Sequence, residues 1–267
     1  MSARRNAQHG GPSPHPRLTA RSVLASTLLG LDPPLLRTSA LVAGAELLGV
    51  APGTARVAIS RMVTNGELEP IGDGYRLAGH LLARQARQVQ SVAGPPTAWN
   101  GTWRTALVPS EPRSPTDRTA LRRAMAALRF GELREGTWLR PDNLAASALP
   151  EAEQVASEQT IAIVGQLAED PLPLVARLWD LDAWASDAHR LLAGIEPLSA
   201  RLVGDDASAL AESFVVAAAA LRHLQADPLL PVALLPADWP GRDLRERQRS
   251  FDGAFRRVLR DWHLSRP

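Results

Sequence analysis

Cysteine and lysine are both missing from this 267-residue chain, and their absence excludes several classes of protein. Without cysteine there can be no disulfide framework, no zinc finger or iron–sulfur cluster held by thiolates, and no thiol nucleophile. All 30 basic residues are arginine. The phosphate-binding P-loop and Schiff-base chemistry both require a lysine, so neither fits this sequence.

Long apolar runs are missing as well. No stretch reaches the ~20 apolar residues of a membrane-spanning helix. The apolar residues 23–31 are followed at once by Asp32 and two prolines, which argues against a signal peptide. Their spacing instead predicts the buried face of an amphipathic helix. We therefore expect a cytoplasmic protein.

Positive charge is concentrated in the first third of the chain. Residues 1–90 contain 10 arginines and five acidic residues, a balance of +5. Residues 91–170 and 171–267 have balances of −2 and −1, and the whole chain has a formal net charge of +2. This asymmetry predicts that the first third binds a polyanion.

The length favours two or three domains, and composition suggests where they begin and end. Proline and glycine are dense in the first residues and again around residues 94–96, which predicts a disordered arm and a linker. We divide the chain into an arm (1–16), a DNA-binding domain (17–91), a linker (92–98), a mixed α/β domain (99–173) and a helical domain (174–267).

Three short helices are predicted in the DNA-binding domain. The first begins at Thr19, a suitable N-cap, and ends at Gly30, whereas the second follows Thr38 and ends at Gly49. Pro52 suits the first position of the third helix, where its missing N–H is not needed. Two short helices joined by a glycine-containing turn are typical of a helix-turn-helix, whose second helix enters the major groove.

The periodicity of the third helix separates an inward face from an outward one. The inward stripe is predicted from residues that recur at helical spacing: Ala55, Ile59, Met62 and Val63. Arginine can pair with guanine edges or phosphates, and hydroxyl groups can bond to either. We therefore assign DNA contacts to the outward residues of this helix: Thr54, Arg56, Val57, Ser60, Arg61 and Thr64.

A β-hairpin is predicted directly after the third helix. Residues 67–71 and 75–77 flank a Gly-Asp-Gly sequence of the kind that makes a tight turn. We interpret this hairpin as the wing of a winged helix-turn-helix, with Arg76 reaching a minor groove or a backbone phosphate. The alternative is a small helical domain whose arginines are merely solvated.

The order of elements predicts a ferredoxin-like fold for the middle domain. Strands and helices alternate there as βαββαβ. Together with the other regions this makes the protein α+β. The predicted elements are a strand at 103–108, a helix at 117–128, paired strands within 132–139, a helix at 151–158 and a strand at 160–164.

The C-terminal region is predicted to be helical, and its last helix, residues 244–262, to pack on residues 214–224. We interpret the arginines of the last helix as a solvated face rather than a clamp for the phosphates of coenzyme A. These are Arg245, Arg247, Arg249, Arg256, Arg257 and Arg260. Trp99, Trp103 and Trp138 are interpreted as packing residues rather than the lining of an effector pocket.

Motifs of common enzymes do not occur. The six histidines show no HExxH spacing, and there is no GxSxG elbow. His223 lies in an Ala/Leu-rich helix and is interpreted as structural. We assign no catalytic residue, no metal site and no cofactor.

A series of short motifs runs along the chain from the first predicted helix onward. The most specific are DPLLP at residues 227–231 and LLPADWPG at residues 234–241. The others are at residues 20–24, 55–63, 99–104, 130–133, 136–141 and 179–182. In their order and spread these motifs resemble the PaaX family of transcriptional repressors, named for control of phenylacetic acid degradation.

The resemblance implies a homodimeric repressor that binds double-stranded DNA at a palindromic operator and is released by an aryl-acyl-CoA effector. It also implies a middle domain similar to that of a CRISPR-associated nuclease family. A metal-dependent nuclease is therefore the alternative, and it would need clustered carboxylates after the first strand of that domain. Only Glu111 is found there. A ligand-free adaptor is a third alternative, with no sequence feature in its favour.

Overall fold

The protein is described by a computed structural model over residues 19–95, 98–109, 113–144 and 149–264. These residues form ten α-helices and two β-sheets, which confirms the predicted mixed α+β class. The predicted N-terminal arm and Glu111 lie outside the described residues.

Three helices and a small sheet make up the first part of the described chain. In order they are α1 (Ala20–Leu29), β1 (Leu35–Arg37), α2 (Thr38–Leu47), α3 (Pro52–Thr64), β2 (Leu68–Ile71) and β3 (Gly74–Leu77). They bury one shared apolar cluster that includes Leu24, Leu41 and Ile59. The Thr19 hydroxyl caps α1 by accepting a hydrogen bond from the Ser22 N–H at 3.1 Å.

Strand β1 is a feature that the sequence does not predict, because three residues are too short for a periodicity. It pairs antiparallel with β3, so the sheet has the order β1-β3-β2. Gly74 permits this pairing, since a Cβ atom there would overlap the carbonyl oxygen of Leu36. The residue that closes the hairpin turn therefore also admits a third strand.

A longer helix, α4 (His80–Ala93), leads out of this first part. It continues two residues into the predicted linker and ends at Gly94, which has a φ of +85°. Glycine adopts this left-handed conformation without a steric penalty, which explains why the helix stops there.

The middle region has the βαββαβ arrangement that its sequence predicts. Its elements are β4 (Thr102–Leu107), α5 (Pro115–Ala127), β5 (Gly131–Arg134), β6 (Thr137–Pro141), α6 (Pro150–Gln159) and β7 (Ile161–Gln166). All neighbouring strands are antiparallel, in the order β5-β6-β4-β7. Trp138 packs with the helices on one face of the sheet, and Trp103 packs in a second cluster on the other.

Four helices complete the chain: α7 (Pro171–Leu178), α8 (Leu181–Val203), α9 (Leu210–Gln225) and α10 (Gly241–Leu264). The last three pack on one another, and α9 also packs on α4. Trp184 is stacked between His223 and Trp239, with ring centroids 4.3 and 4.4 Å away. His223 Nε2 also lies 2.9 Å from the carbonyl oxygen of Trp184, and burial lowers the pKa of His223. His223 thus has the structural role that we expect.

Residues 207–225 are long and apolar enough to cross a bilayer. Composition alone is a weak indication of a membrane span, because the core helices of folded proteins have the same character. In this structure the stretch packs against α4, α8 and α10.

A buried ion pair joins α10 to the loop after α9. Nη2 of Arg245 donates to Oδ2 of Asp227 at 2.7 Å, and the two side chains are 6% and 2% exposed. The other carboxylate oxygen of Asp227 accepts the N–H of Leu229 at 2.7 Å. Arg245 also donates to the carbonyl oxygens of Ser91 and Gly241, each at 2.8 Å. One guanidinium therefore joins the start of its own helix to two other segments of the chain.

The interpretation of the α10 arginines as a solvated face is wrong for Arg245. The other five are exposed, as expected. Arg245 faces the loop after α9 instead of water, and the charge alternation along the helix does not reveal this because the partner, Asp227, comes from outside the helix.

Arg129 joins the middle region to the buried polar residues around Arg245. It lies directly after α5 with a φ of +66°, and its Nη2 donates to the hydroxyl of Ser91 at 2.7 Å. Its Nη1 donates to the carbonyl oxygen of Gln225. Burial, with the nearby Arg87 cation, lowers the pKa of Arg129 to about 10, so the side chain remains charged at neutral pH. Helix α4, the middle region and the C-terminal helices therefore meet at one buried polar cluster.

Arg245→Ala is expected to destabilise the protein by about 3–5 kcal/mol, because it leaves the Asp227 carboxylate buried without its partner. Chemical denaturation of the two proteins measures this difference. Arg242→Ala is the matched control on the same helix, since its exposed pair with Glu246 contributes about 0.3–0.5 kcal/mol. Equal losses in the two variants would contradict the assigned role of Arg245.

Candidate nucleic-acid interface

One side of α3 is exposed along its whole length. The six residues predicted to face DNA are all on that side: Thr54, Arg56, Val57, Ser60, Arg61 and Thr64. The opposite side is buried, with Ala55, Ile59 and Met62 at most 3% exposed. The structure therefore brings the predicted contact residues together on one surface, which we call the α3 face.

The α3 face carries positive charge and no negative charge. Helix α3 contains no acidic residue, and neither Arg56 nor Arg61 forms an ion pair with the described residues. The N-cap residue Ala51 provides no side-chain hydrogen bond to the first turn. The N–H groups at that end are then available to an anion such as phosphate. The guanidiniums of Arg56 and Arg61 and the N-terminus of α3 thus lie on one surface.

The stripe along the middle of the α3 face mixes polar and apolar groups. Thr54, Val57, Arg61 and Thr64 follow one another at spacings of three and four, so they lie in one row. Val57 is 52% exposed. An exposed apolar side chain beside arginine and threonine suits a surface that must contact base edges, because thymine presents a methyl group in the major groove.

The hairpin of β2 and β3 lies directly after α3 in the chain. Arg76 is exposed on β3, but it forms an ion pair with Glu69, the residue opposite it on β2. The sequence predicts a DNA contact for Arg76 and gives no sign of this ion pair. Exposed pairs of this kind contribute at most about 1 kcal/mol, so a phosphate can compete for Arg76.

A second ion pair joins α1 to the residues just after α3, and the sequence does not predict it. Nε of Arg21 on α1 donates at 2.8 Å to Glu67, which is 5% exposed just before β2. Nε2 of His80, the first residue of α4, lies 3.6 Å from the same carboxylate. The hydrogen bonds from Arg21 lower the pKa of Glu67. The partners are 46 residues apart in the chain, so no local spacing could have revealed them.

The described residues contain no cluster of side chains that could bind a metal ion. No group of three or more His, Asp or Glu side chains is found there. Glu111, the one carboxylate noted for a nuclease site, lies outside the described residues.

Comparison with known proteins identifies the two regions that follow the α3 face. Residues 96–170 match the PaaX protein central Cas2-like domain, and residues 179–261 match the PaaX-like protein C-terminal domain. The chain belongs to the PaaX family. Membership of this family indicates a transcriptional regulator of phenylacetic acid catabolism. It also agrees with the βαββαβ topology of the middle region.

Solved structures contain a similar chain. The uncharacterized protein Rv0674 from Mycobacterium tuberculosis is 40% identical in sequence to this PaaX-family chain. The two structures superpose with a TM-score of 0.70. The match covers 91% of this chain and 98% of that one. A comparison with curated proteins gives no match.

Glu67→Gln is expected to lower the melting temperature at pH 7, because it removes the charge that Arg21 binds. The lowered pKa of Glu67 means that its stabilising effect is fully present above the usual glutamate pKa of about 4.3 and is lost as the pH falls through the lowered value. The difference in melting temperature between variant and wild type should therefore shrink in acid.

Thermal unfolding between pH 3 and pH 7, followed by circular dichroism, measures this difference. The matched control is Glu69→Gln, whose exposed pair with Arg76 should contribute much less. A Glu67→Gln difference that is the same at every pH would contradict the proposed electrostatic origin.

Proposed function

We propose that this chain is a DNA-binding transcriptional repressor in the cytoplasm, acting on an aromatic-acid catabolic operon and relieved by an aryl-acyl-CoA effector. The observation that carries DNA binding is the α3 face, which is exposed, basic and free of acidic residues. Family membership supports the regulatory role. In this proposal α2 and α3 are the two helices of a helix-turn-helix, and the β2–β3 hairpin is its wing.

The proposed docking places α3 in the major groove of double-stranded DNA. Thirteen residues of helix extend about 20 Å, which is long enough to cross the groove. Arg61, in the middle row, would pair with a guanine edge, and Val57 would contact a thymine methyl group. Arg56 lies beside that row and would reach either a base edge or the adjacent phosphate. Arg76 on the wing would contact the backbone without reading sequence.

Self-association through β7 is the second part of the proposal. This strand lies at the edge of its sheet, and all six of its residues are exposed. Ile161, Ile163 and Val164 are each at least 50% exposed, on both faces of the strand. A long apolar edge strand can pair with a strand of another chain, because its outer N–H and C=O groups have no partner strand. Two identical edges can pair antiparallel about a two-fold axis, which also matches the symmetry of a palindromic operator.

Replacing Arg56 or Arg61 with alanine is expected to weaken binding to the specific operator by about 1–3 kcal/mol if the side chain reads a base edge. Arg76→Ala should instead weaken binding to all sequences equally. It should also reduce the slope of log binding constant against log salt concentration by about the amount that one phosphate contact contributes. Arg118→Ala is the matched control, because Arg118 is an exposed arginine on α5, away from the α3 face.

The measurement is fluorescence anisotropy with the operator found by genome-wide footprinting, repeated at several salt concentrations. If the Arg56→Ala and Arg61→Ala proteins bind this DNA as tightly as Arg118→Ala, α3 is not the recognition helix.

Val164→Lys is expected to convert a dimer to a monomer, because a lysine on the exposed edge strand opposes pairing of two copies. Light scattering at micromolar concentration measures the mass. Val203→Lys, at the end of α8, makes the same substitution at a site that is 69% exposed and should leave the mass unchanged. A monomeric wild-type protein, or a dimeric Val164→Lys protein, would disprove pairing through β7.

A further inference from the structure

A cavity of about 340 Å³ lies between the DNA-binding part of the chain and the C-terminal helices. Its walls come from the end of α1 and from α2 on one side, and from α4, α9 and α10 on the other. Its volume falls in the range of about 300–1,000 Å³ that is usual for small-molecule sites. A molecule bound there would contact both parts of the protein at once.

The walls of the cavity are mainly aliphatic and aromatic. Leu47 of α2, Phe214 and Leu221 of α9, and Phe255 and Trp262 of α10 all contribute side chains. This explains part of the apolar composition of α9, because that helix meets the C-terminal core on one side and the cavity on another. The cavity therefore suits the apolar body of a ligand.

The charged side chains lining the cavity are four arginines and one aspartate. Asp252 is already paired, since Arg256 lies 2.7 Å from it. Arg84, Arg222 and Arg260 form no ion pair with the described residues. Burial lowers the pKa of Arg84, and the like charges of Arg21, Arg222 and Arg87 lower it further. Cations held close together beside an apolar cavity offer a place for an anion.

Arg256 connects this cavity to the DNA-binding part. Its Nη2 donates to the carbonyl oxygen of Gly30, the residue that ends α1. The carbonyl oxygens on either side are held in the same way from α4, by Gln88 at 3.1 Å and by Gln85 at 2.7 Å. Since α1 packs directly on α3, an anion that drew Arg256 away from Gly30 would release one of three contacts that hold the recognition helix through α1.

We propose that this cavity binds the effector, a small molecule with an apolar acyl or aryl body and an anionic group. The apolar body lies against α2 and α9, and the anion binds Arg84, Arg222 and Arg260 and competes with the Gly30 carbonyl oxygen for Arg256. Binding then changes the hold of Arg256 on α1. The link to DNA release depends on the repressor function proposed above, whereas occupancy of the cavity does not.

Binding is tested first on the full-length protein without DNA. The probe is 8-anilinonaphthalene-1-sulfonate, an aromatic anion whose fluorescence rises in apolar sites. Phenylacetyl-CoA, phenylacetate, coenzyme A and the cation 2-phenylethylamine are the competitors. We expect an aryl anion to displace the probe and the cation not to do so. Displacement by phenylacetyl-CoA alone identifies the thioester as the source of the anion, and displacement by phenylacetate identifies the free acid. If neither phenylacetyl-CoA nor phenylacetate displaces the probe, the proposal is overturned.

Filling the cavity supplies the matched comparison. Gly44 of α2 lines it, and a Cβ atom added there meets no other atom within 4 Å. Gly44→Phe should therefore fold and abolish probe binding. Gly194→Phe on α8 adds the same side chain at an equally open helical position outside the cavity and should bind normally. Equal probe binding by the two variants overturns the proposal.

The charge requirement is tested at an exposed position, so that folding is not at risk. Arg222→Ala should weaken binding of the aryl anion about tenfold, the usual effect of losing one charge-assisted hydrogen bond. Arg242→Ala, also exposed but outside the cavity, should not change it. Unchanged affinity in both variants overturns the anion assignment.

The final step titrates the same competitors into a preformed complex with operator DNA. We expect Arg222→Ala to need about ten times more of the displacing ligand to release DNA. A protein that binds DNA but no aryl anion disproves the cavity assignment and leaves the repressor function standing. A protein that binds the aryl anion in the cavity but no DNA disproves the repressor function and leaves the cavity assignment standing.

Discussion

The contacts of the Arg245 guanidinium with Asp227, Ser91 and Gly241 hold the C-terminal helices in their arrangement. They fix the start of α10 against the end of α4 and against the loop after α9. Arg129 brings the middle region to the same serine. Because a buried charge that loses its partner is strongly destabilising, the segments that supply these partners have little freedom to move apart.

The use of arginine rather than lysine matters at this point. A guanidinium donates in several directions from a rigid plane, whereas an ammonium is a compact charge on a flexible stem. Arg245 uses Nε and Nη2 for two other segments of the chain and Nη1 for the first turn of its own helix. A chain whose 30 basic residues are all arginine can build such contacts, and the same side chain also suits guanine edges and phosphates. One residue type thus serves both the interior and the α3 face.

Helices α4, α9 and α10 determine how the proposed repressor can be regulated. They are joined to one another at the buried cluster, and they also form the walls of the cavity against α1 and α2. A ligand can shift DNA binding only by its difference in affinity for the two conformations, typically about 1–3 kcal/mol. A few hydrogen bonds to the end of α1 have a free energy of that size. The buried cluster around Arg245 is too strong to break and re-form when a ligand binds.

Most elements of this fold could be predicted from local periodicity and capping residues, whereas the three-residue strand β1 could not. The Thr19 N-cap, Pro52 at the start of α3, the βαββαβ order and the outward residues of the α3 face were all predictable in this way. The burial of Arg245, the Arg21–Glu67 pair and the cavity depend instead on how distant segments of the chain fold against one another. Each joins residues from distant parts of the chain, and charge or hydrophobicity at one position does not say what will fold against it.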